Sequence, residues 1–520
     1  MDEAIGRVIA VASSAVTVEL QVGRPGRELV RVGTMVKLLS GESRLLAEVS
    51  EVRPNGDSPA RNLLIASLLG ELTSMCGESR FSRGVSVYPA PGDGAFVVTD
   101  DDLSTIYGQP SDASIKVGTL YQDATRPALL VTDELLSRHF AILGATGSGK
   151  SCALKLILSA ILEGDRKVRA VLLDPHNEYA EAFGDRAEVI NVENLRLPFW
   201  LFNFQEAARV LVRGGSAGEQ ESQELILNDA IVWARRHYRG PHQSGTAITV
   251  DTPVPFRIHE ILGFINEQMG RLGKPDTAIP YLRLKTRIES LRNDRRFKFL
   301  FSSEEDVLAK IVGRLLRVPA EGRPLTIVDL SGVPSEIADV IVSTLCRVLF
   351  DFSVWCEREK KPPLLVVCEE AHRYVPADER LGFAQTVASI TQIAKEGRKY
   401  GISLALITQR PSELALSALS QCGTVFALRL GSDADQRFIA RTLPDVAGEM
   451  LRGLPSLPTA QAIVFGEAVR VPMRIRFDDL PKLRRPHTEG AHHSEAGQTD
   501  TADRAFIDTG VRRWRAQIRG

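Results

Sequence analysis

Phe140-Ala-Ile-Leu-Gly-Ala-Thr-Gly-Ser-Gly-Lys-Ser151 is the stretch on which the reading of this chain turns. A short apolar run, Phe140 to Leu143, meets a glycine-rich loop, and apolar residues at helical spacing come directly after it: Ala153, Leu154, Leu156, Ile157, Ala160, Ile161 and Leu162. Strand, loop and helix in that order are the context that a G-x-x-x-x-G-K-[ST] pattern requires. Glycines let successive backbone N–H groups turn toward a phosphate without a Cβ in the way. The helix after the loop adds the partial positive charge of its amino end. Gly144, Ala145, Thr146, Gly147, Ser148 and Gly149 are the expected cradle, with Cys152 in the first helical turn. Lys150 is placed to reach β- and γ-phosphates, and Ser151 to offer its hydroxyl to Mg²⁺. The small molecules expected here are therefore ATP and Mg²⁺.

The rest of the chain bounds this reading. Its 520 residues exceed one ordinary core and suggest two or three domains. A net charge of −1 gives no overall basic field, so any nucleic-acid contact must come from local patches or a channel lining. No run of about 18 apolar residues exists, so no membrane span is expected. The start, Met1-Asp2-Glu3, lacks the basic and apolar regions of a secretory signal. The six cysteines (Cys76, Cys152, Cys346, Cys356, Cys368, Cys422) form no C-x-x-C pair, which reads as buried reduced thiols in a cytoplasmic protein.

Residues 1–100 read as short strands separated by Gly, Pro, Asn and Ser, the pattern of a small β-barrel. Nothing in it looks catalytic, and docking of partners or neighbouring subunits is its expected use. Residues 101–204 and 321–480 carry alternating apolar strands and helices, an α/β core. One of these strands, Ala170 to Asp174, runs into Pro-His-Asn-Glu-Tyr179, which is either a ligand-facing strand end or an ordinary polar loop. Residues 205–320 change to helical spacing and read as a helical insertion. It is locally basic (Arg235, Arg236, Arg239, Arg283, Lys285, Arg287, Arg292, Arg295, Arg296, Lys298): either a duplex-facing surface or a solvated face paired with Glu289 and Asp294. Residues 481–520 shift to His, Gly, Ser and Thr and read as a flexible tether ending in a short basic amphipathic piece.

Within the core, Leu364-Leu-Val-Val-Cys-Glu369-Glu370-Ala-His372 is an apolar strand ending in two carboxylates. One acid is needed in the Mg²⁺ shell and the next to orient and polarise an attacking water, roles assigned to Glu369 and Glu370. The strand Ile402 to Thr408 ends in Gln409, a polar tip suited to reading the γ-phosphate. Arg398, after the preceding helix, is either an arginine finger for a neighbouring subunit or a cation favoured by the helix dipole. Arg138, just before the loop strand, is either a phosphate contact or a solvated residue.

Taken together, these residues resemble the HerA family of hexameric DNA-translocating ATPases, relatives of FtsK. The specific pieces are Arg138 to Ser151, Asp174 to Tyr179, Glu369-Glu-Ala-His372, and Glu396 to Gly401 through Thr408-Gln-Arg-Pro411. The resemblance implies a RecA-like P-loop core of the additional-strand type, an N-terminal barrel and a helical insertion. It also implies a homohexameric ring that hydrolyses ATP and passes double-stranded DNA through its pore. Lys150, Ser151, Glu369 and Glu370 belong to the nucleotide site on this basis, with Arg398 as finger in trans, Gln409 as sensor and Arg138 as a further phosphate contact. The family works with a nuclease of the NurA type in end resection. Some bacterial members pair instead with sirtuin-like or other effectors in phage defence. A ring that assembles and switches an effector with little translocation is the second reading.

Overall fold

The computed structural model describes residues 4–21, 30–41, 43–55, 58–75, 78–110, 112–165, 167–238, 248–272, 275–301, 307–357, 361–378, 380–381, 384–442, 448–481, 484–486 and 511–512. The chain divides into two compact units, Met1–Ala170 with Cys346–Leu480, and Val171–Leu345 with Pro481–Gly520.

The first unit begins with β1 (Gly6–Val11), β2 (Ala15–Leu20), β3 (Met35–Ser40), β4 (Ser43–Asn55), β5 (Ser58–Met75), β6 (Glu78–Arg83) and β7 (Gly94–Val97). Their order is β2-β1-β7-β3-β4-β5-β6, and β2 also pairs with β5, so six strands close into a barrel with β6 on its side. The inward positions of β2, Val16, Val18 and Leu20, meet Val8, Leu38, Leu45 and Leu64 in one core. The expected barrel is present, but β5 and β6 carry no alternation that announces them. Their length has a structural reason: β5 runs along β4, gives its first half to β2 and its second half to β6.

The chain continues through α1 (Asp100–Tyr107), β8 (Ser114–Leu120), β9 (Pro127–Val131), α2 (Thr132–Ser137), β10 (His139–Leu143) and α3 (Lys150–Gly164). Thr99 caps α1 in a capping box with Asp102, and Asp102 also takes the Lys37 ammonium at 2.6 Å. That buried pair, together with Met35, Leu46, Ile106 and Val471 in one apolar cluster, joins the barrel to α1 within this unit.

β11 (Arg169–Asp174) leads into the second unit, with α4 (Ala180–Phe183), β12 (Ala187–Ile190), α5 (Phe204–Leu211), α6 (Ala217–His237), α7 (Ile258–Gly270), α8 (Ile279–Asn293), α9 (Leu308–Leu315), β13 (Leu325–Asp329) and α10 (Ser335–Trp355). Its strands order β12-β13-β11. Asn203 and Ser216 open α5 and α6 with capping boxes. The helical insertion is present, and several of its cations are structural. Arg235 is 1% exposed. Its guanidinium donates to the carbonyls of Val250, Trp200 and Phe202. Arg283 pairs with Glu219, Arg287 with Glu336, and Arg296 with Asp294. Arg292, Arg295 and Lys298 are exposed. The Asp174 carboxylate accepts backbone N–H groups from His176 and Tyr179, which makes it a turn anchor.

The first unit resumes with β14 (Leu364–Cys368), α11 (Ala384–Glu396), β15 (Ile402–Thr408), α12 (Leu416–Leu419), β16 (Cys422–Ala427), α13 (Asp433–Thr442), α14 (Gly448–Leu451), β17 (Gln461–Gly466) and β18 (Met473–Phe477). Its second sheet runs β14-β15-β10-β16-β17-β18-β8-β9. β14, β15, β10 and β16 are parallel; β16 through β9 are antiparallel. β10, β14 and β15 are buried along their whole length, as strands covered on both faces should be. The fold is α/β, as expected. Apart from Pro481, Arg484–Pro486 and the pair Val511–Arg512, the expected tail lies outside the described residues.

Candidate active site at the carboxyl ends of the parallel strands

β10 sits between β15 and β16, and its carboxyl end opens into the glycine-rich loop. In open α/β sheets this edge is where ligands bind. The loop is held at its rim by backbone bonds: Ala145 N–H donates to Arg429 O (2.8 Å) and Ala460 N–H to Ser148 O (3.1 Å). Gly147 and Gly149 have φ of 72° and 101°, left-handed values that favour glycine. A Cβ on Gly149 would also lie 3.2 Å from the Ala460 nitrogen. Gly149 opens α3 with no side chain capping it, so the first N–H groups of the helix face the loop. Lys150 folds back onto Ala145 O at 3.1 Å. Lys150 and Ser151 are buried, and the Ser148 hydroxyl is fully buried with no hydrogen-bond partner among the described residues.

The acids come from β14. Glu369 and Glu370 are 3% and 7% exposed. Glu370 takes a left-handed backbone, φ 52°. That conformation costs a non-glycine residue about 1–3 kcal/mol and recurs where function demands an orientation. It turns the carboxylate toward Gln409. The Gln409 Nε2 group donates to Glu370 Oε1 at 2.5 Å, and the Thr146 hydroxyl donates to Gln409 Oε1. A continuous hydrogen-bonded line therefore joins the loop to the second acid through the tip of β15.

Glu370 Oε2 is buried and has no hydrogen-bond donor among the described residues. The nearest polar group is His372 Nδ1, 3.3 Å away. That nitrogen also lies 2.9 Å from Thr408 Oγ1, whose oxygen accepts the Arg410 N–H at 3.0 Å. Burial holds the His372 imidazole below its usual range, against the opposing pull of Glu370 and Glu413. One carboxylate oxygen is held and the other is bare, the arrangement a general base for water requires.

The residues fit a Mg²⁺–nucleotide. The glycine loop leaves room for phosphate oxygens, Lys150 supplies the cation, and Ser151 and Glu369 are the oxygen donors suited to Mg²⁺. The structure thus brings together Gly144 to Ser151, Cys152 of the first turn of α3, Glu370 and Gln409, with Glu369 beside them in sequence.

It does not bring Arg138 or Arg398 to the same place. Arg138 precedes the amino end of β10, five residues of strand and roughly 17 Å from the loop. Its guanidinium pairs with Glu467 at 3.2 Å, both side chains being more than two-fifths exposed. Arg398 lies in the single turn Gly397–Tyr400 before the amino end of β15, exposed, its guanidinium without a hydrogen bond or ion pair among the described residues. As a phosphate contact within one protomer, Arg138 is on the wrong edge, because a strand carries its neighbours in sequence away from each other. Sequence reading also missed Arg429 and Thr459, which donate to Gly147 O at 3.4 Å each. Only the strand order reveals them, since the first comes after β16 and the second precedes β17.

Comparison with known proteins agrees with this geometry. Residues 115–349 match the family described as Helicase HerA, central domain. The chain is 25% identical to the DNA double-strand break repair helicase HerA of Pyrococcus furiosus, over 88% of this chain and 85% of that protein. It is 25% identical to the helicase of the same name from Saccharolobus solfataricus, over 86% and 88%. Among solved structures, VirB4 of Thermoanaerobacter pseudethanolicus shares the fold, with a TM-score of 0.50 and 17% identity over 72% of this chain and 99% of that one. Both acids, the phosphate loop and the near-full-length relatives agree, and over most of its length the chain is similar to the HerA helicases.

Proposed function

We propose that this chain is an ATP-driven motor that moves double-stranded DNA and works as a homohexameric ring. The observation that carries the reading is the line Thr146–Gln409–Glu370, which ends on a bare carboxylate oxygen beside a phosphate loop. Bound Mg²⁺ supplies charge neutralisation at the β- and γ-phosphates. The loop N–H groups and Lys150 hold the phosphates. Glu370 Oε2 orients a water and takes its proton, while Gln409 fixes the other oxygen of the same carboxylate. Thr146 sits in the loop, so a shift of the loop pulls on Gln409 and hence on Glu370. That is a sensor's connection.

Two features support assembly. Arg138 and Arg398 stand at the edge opposite the loop, where neither reaches the site of its own protomer. An arginine there completes a neighbour's site when subunits pack head to tail. The relatives are named as double-strand break repair helicases, which favours duplex DNA as the track. Arg292, Arg295 and Lys298, exposed and without an ion pair among the described residues, are the cations available to its phosphates. The barrel serves as the docking surface for an effector, either a NurA-like nuclease in end processing or a sirtuin-like or other effector in phage defence.

The test is the ATPase rate with and without linear duplex DNA, on a particle sized by light scattering. A ring-sized particle with turnover strongly stimulated by duplex supports the motor. A ring with slow turnover indifferent to DNA contradicts it and favours a nucleotide-switched scaffold that activates a partner.

A further inference from the structure

His139 is the first residue of β10 and is 4% exposed, yet the chemistry of the loop does not use it. Its ring makes two bonds to two different elements. Nε2 lies 2.8 Å from Ala394 O, in the last turn of α11. Nδ1 accepts the Leu404 N–H of β15 at 2.9 Å. A neutral imidazole has one donor and one acceptor, and here both are spent. The donor is needed because α11 stops at Glu396, which leaves the carbonyls of its last turn without helical partners.

Arg398 lies two residues after the end of α11. The residue before it, Gly397, is pressed against β15: a Cβ there would lie 2.7 Å from Ile402 O and 3.3 Å from the Ile393 side chain. The turn that carries Arg398 is thus gripped from two sides, by His139 on the Ala394 carbonyl and by β15 on Gly397. The Arg398 side chain is exposed, and its guanidinium makes no hydrogen bond or ion pair among the described residues. Its position is set by its backbone anchors.

We propose that His139 is a positioning residue for Arg398, pinning the end of α11 to the two strands that lead to the phosphate loop and to Gln409. β10 runs from His139 to the loop, and β15 runs from Leu404 to Gln409. The imidazole therefore ties the outward-facing arginine to the same two strands that sense the nucleotide inside the protomer. This role rests on the reading of Arg398 as the group that completes a neighbouring subunit's site.

The test uses mixed assemblies of full-length chains. Glu370→Gln subunits cannot hydrolyse but can lend Arg398. Arg398→Ala subunits can hydrolyse but cannot lend it. Mixed together, the two are expected to recover ATPase activity that neither has alone. His139→Asn in the Glu370→Gln subunit is expected to reduce that recovery by about tenfold or more, the scale on which misplacement of a catalytic group acts. His139→Asn in the Arg398→Ala subunit is expected to leave it within about twofold, which a merely structural role would not allow. Recovery equal in both placements, or lost in both, overturns the role of His139 while leaving Arg398 in place. No recovery in the parent pair overturns the assignment of Arg398 and the role of His139 with it. If the His139 variant does not fold, Gly397→Ala in the lending subunit displaces the same turn with His139 intact. It is expected to give the same loss, and full recovery there contradicts the proposal.

Discussion

The two ends of the parallel strands are built on opposite principles. At the carboxyl ends of β10, β14 and β15, polar groups are buried and left incomplete: the Ser148 hydroxyl and Glu370 Oε2 have no hydrogen-bond partner among the described residues, and Glu370 holds a strained backbone. At the amino ends, the buried polar group is fully paired. His139 spends both ring nitrogens, and the exposed Arg138 and Arg398 reach outward. A buried polar atom without a partner costs about 1–3 kcal/mol, so a fold tolerates it where a ligand will supply the partner. The difference teaches which end receives a molecule inside the protomer and which end holds geometry for something outside it.

Substitutions can break this comparison. The largest loss is expected from Lys150→Ala, which removes the phosphate cation at the carboxyl end. Turnover should fall at least about 10³-fold with the fold intact, measured by phosphate release and thermal melting. Arg398→Ala, at the amino end, should cost about 10³-fold in the assembled protein while leaving ATP affinity of the isolated chain unchanged. Gln409→Ala cuts the line between loop and base. It is expected to lower kcat by about 10²-fold with a smaller effect on KM.

The paired end should show itself in stability. Burial holds the His139 imidazole below its usual range, against the Ala394 carbonyl, so the folded chain binds fewer protons there than the unfolded chain. Its contribution is therefore fully present above the unfolded pKa of about 6.5 and is lost as pH falls through the lower folded value. The melting temperature of the wild-type chain should accordingly drop faster than that of His139→Asn between neutral pH and about pH 5. The smallest effect is expected from Glu467→Ala, which frees Arg138 of an exposed ion pair. It should move stability by less than about 1 kcal/mol in chemical denaturation.

The sequence showed one end far better than the other. The loop, both acids and Gln409 are local patterns, each a strand running into polar residues, and the backbone places them as that pattern demands. The bonds among them were not legible, because Thr146 and Gln409 meet only once β10 is known to lie beside β15. Arg138 misleads for the converse reason. It stands close to the loop in sequence, but a strand separates its ends by its length. Arg235 misleads through its charge: it reads as part of a basic face, whereas its guanidinium closes three backbone carbonyls in the interior.

The measurement that bears most directly on the carboxyl-end site is a paired one on Glu370→Gln: ATP binding by equilibrium titration and ATP turnover in the presence of duplex DNA. The expected result is unchanged binding with turnover reduced by about 10²–10⁴-fold, the weight of a general base. Turnover that persists near the wild-type rate would show that the bare oxygen of Glu370 is not where water is activated, and would contradict the site as assigned.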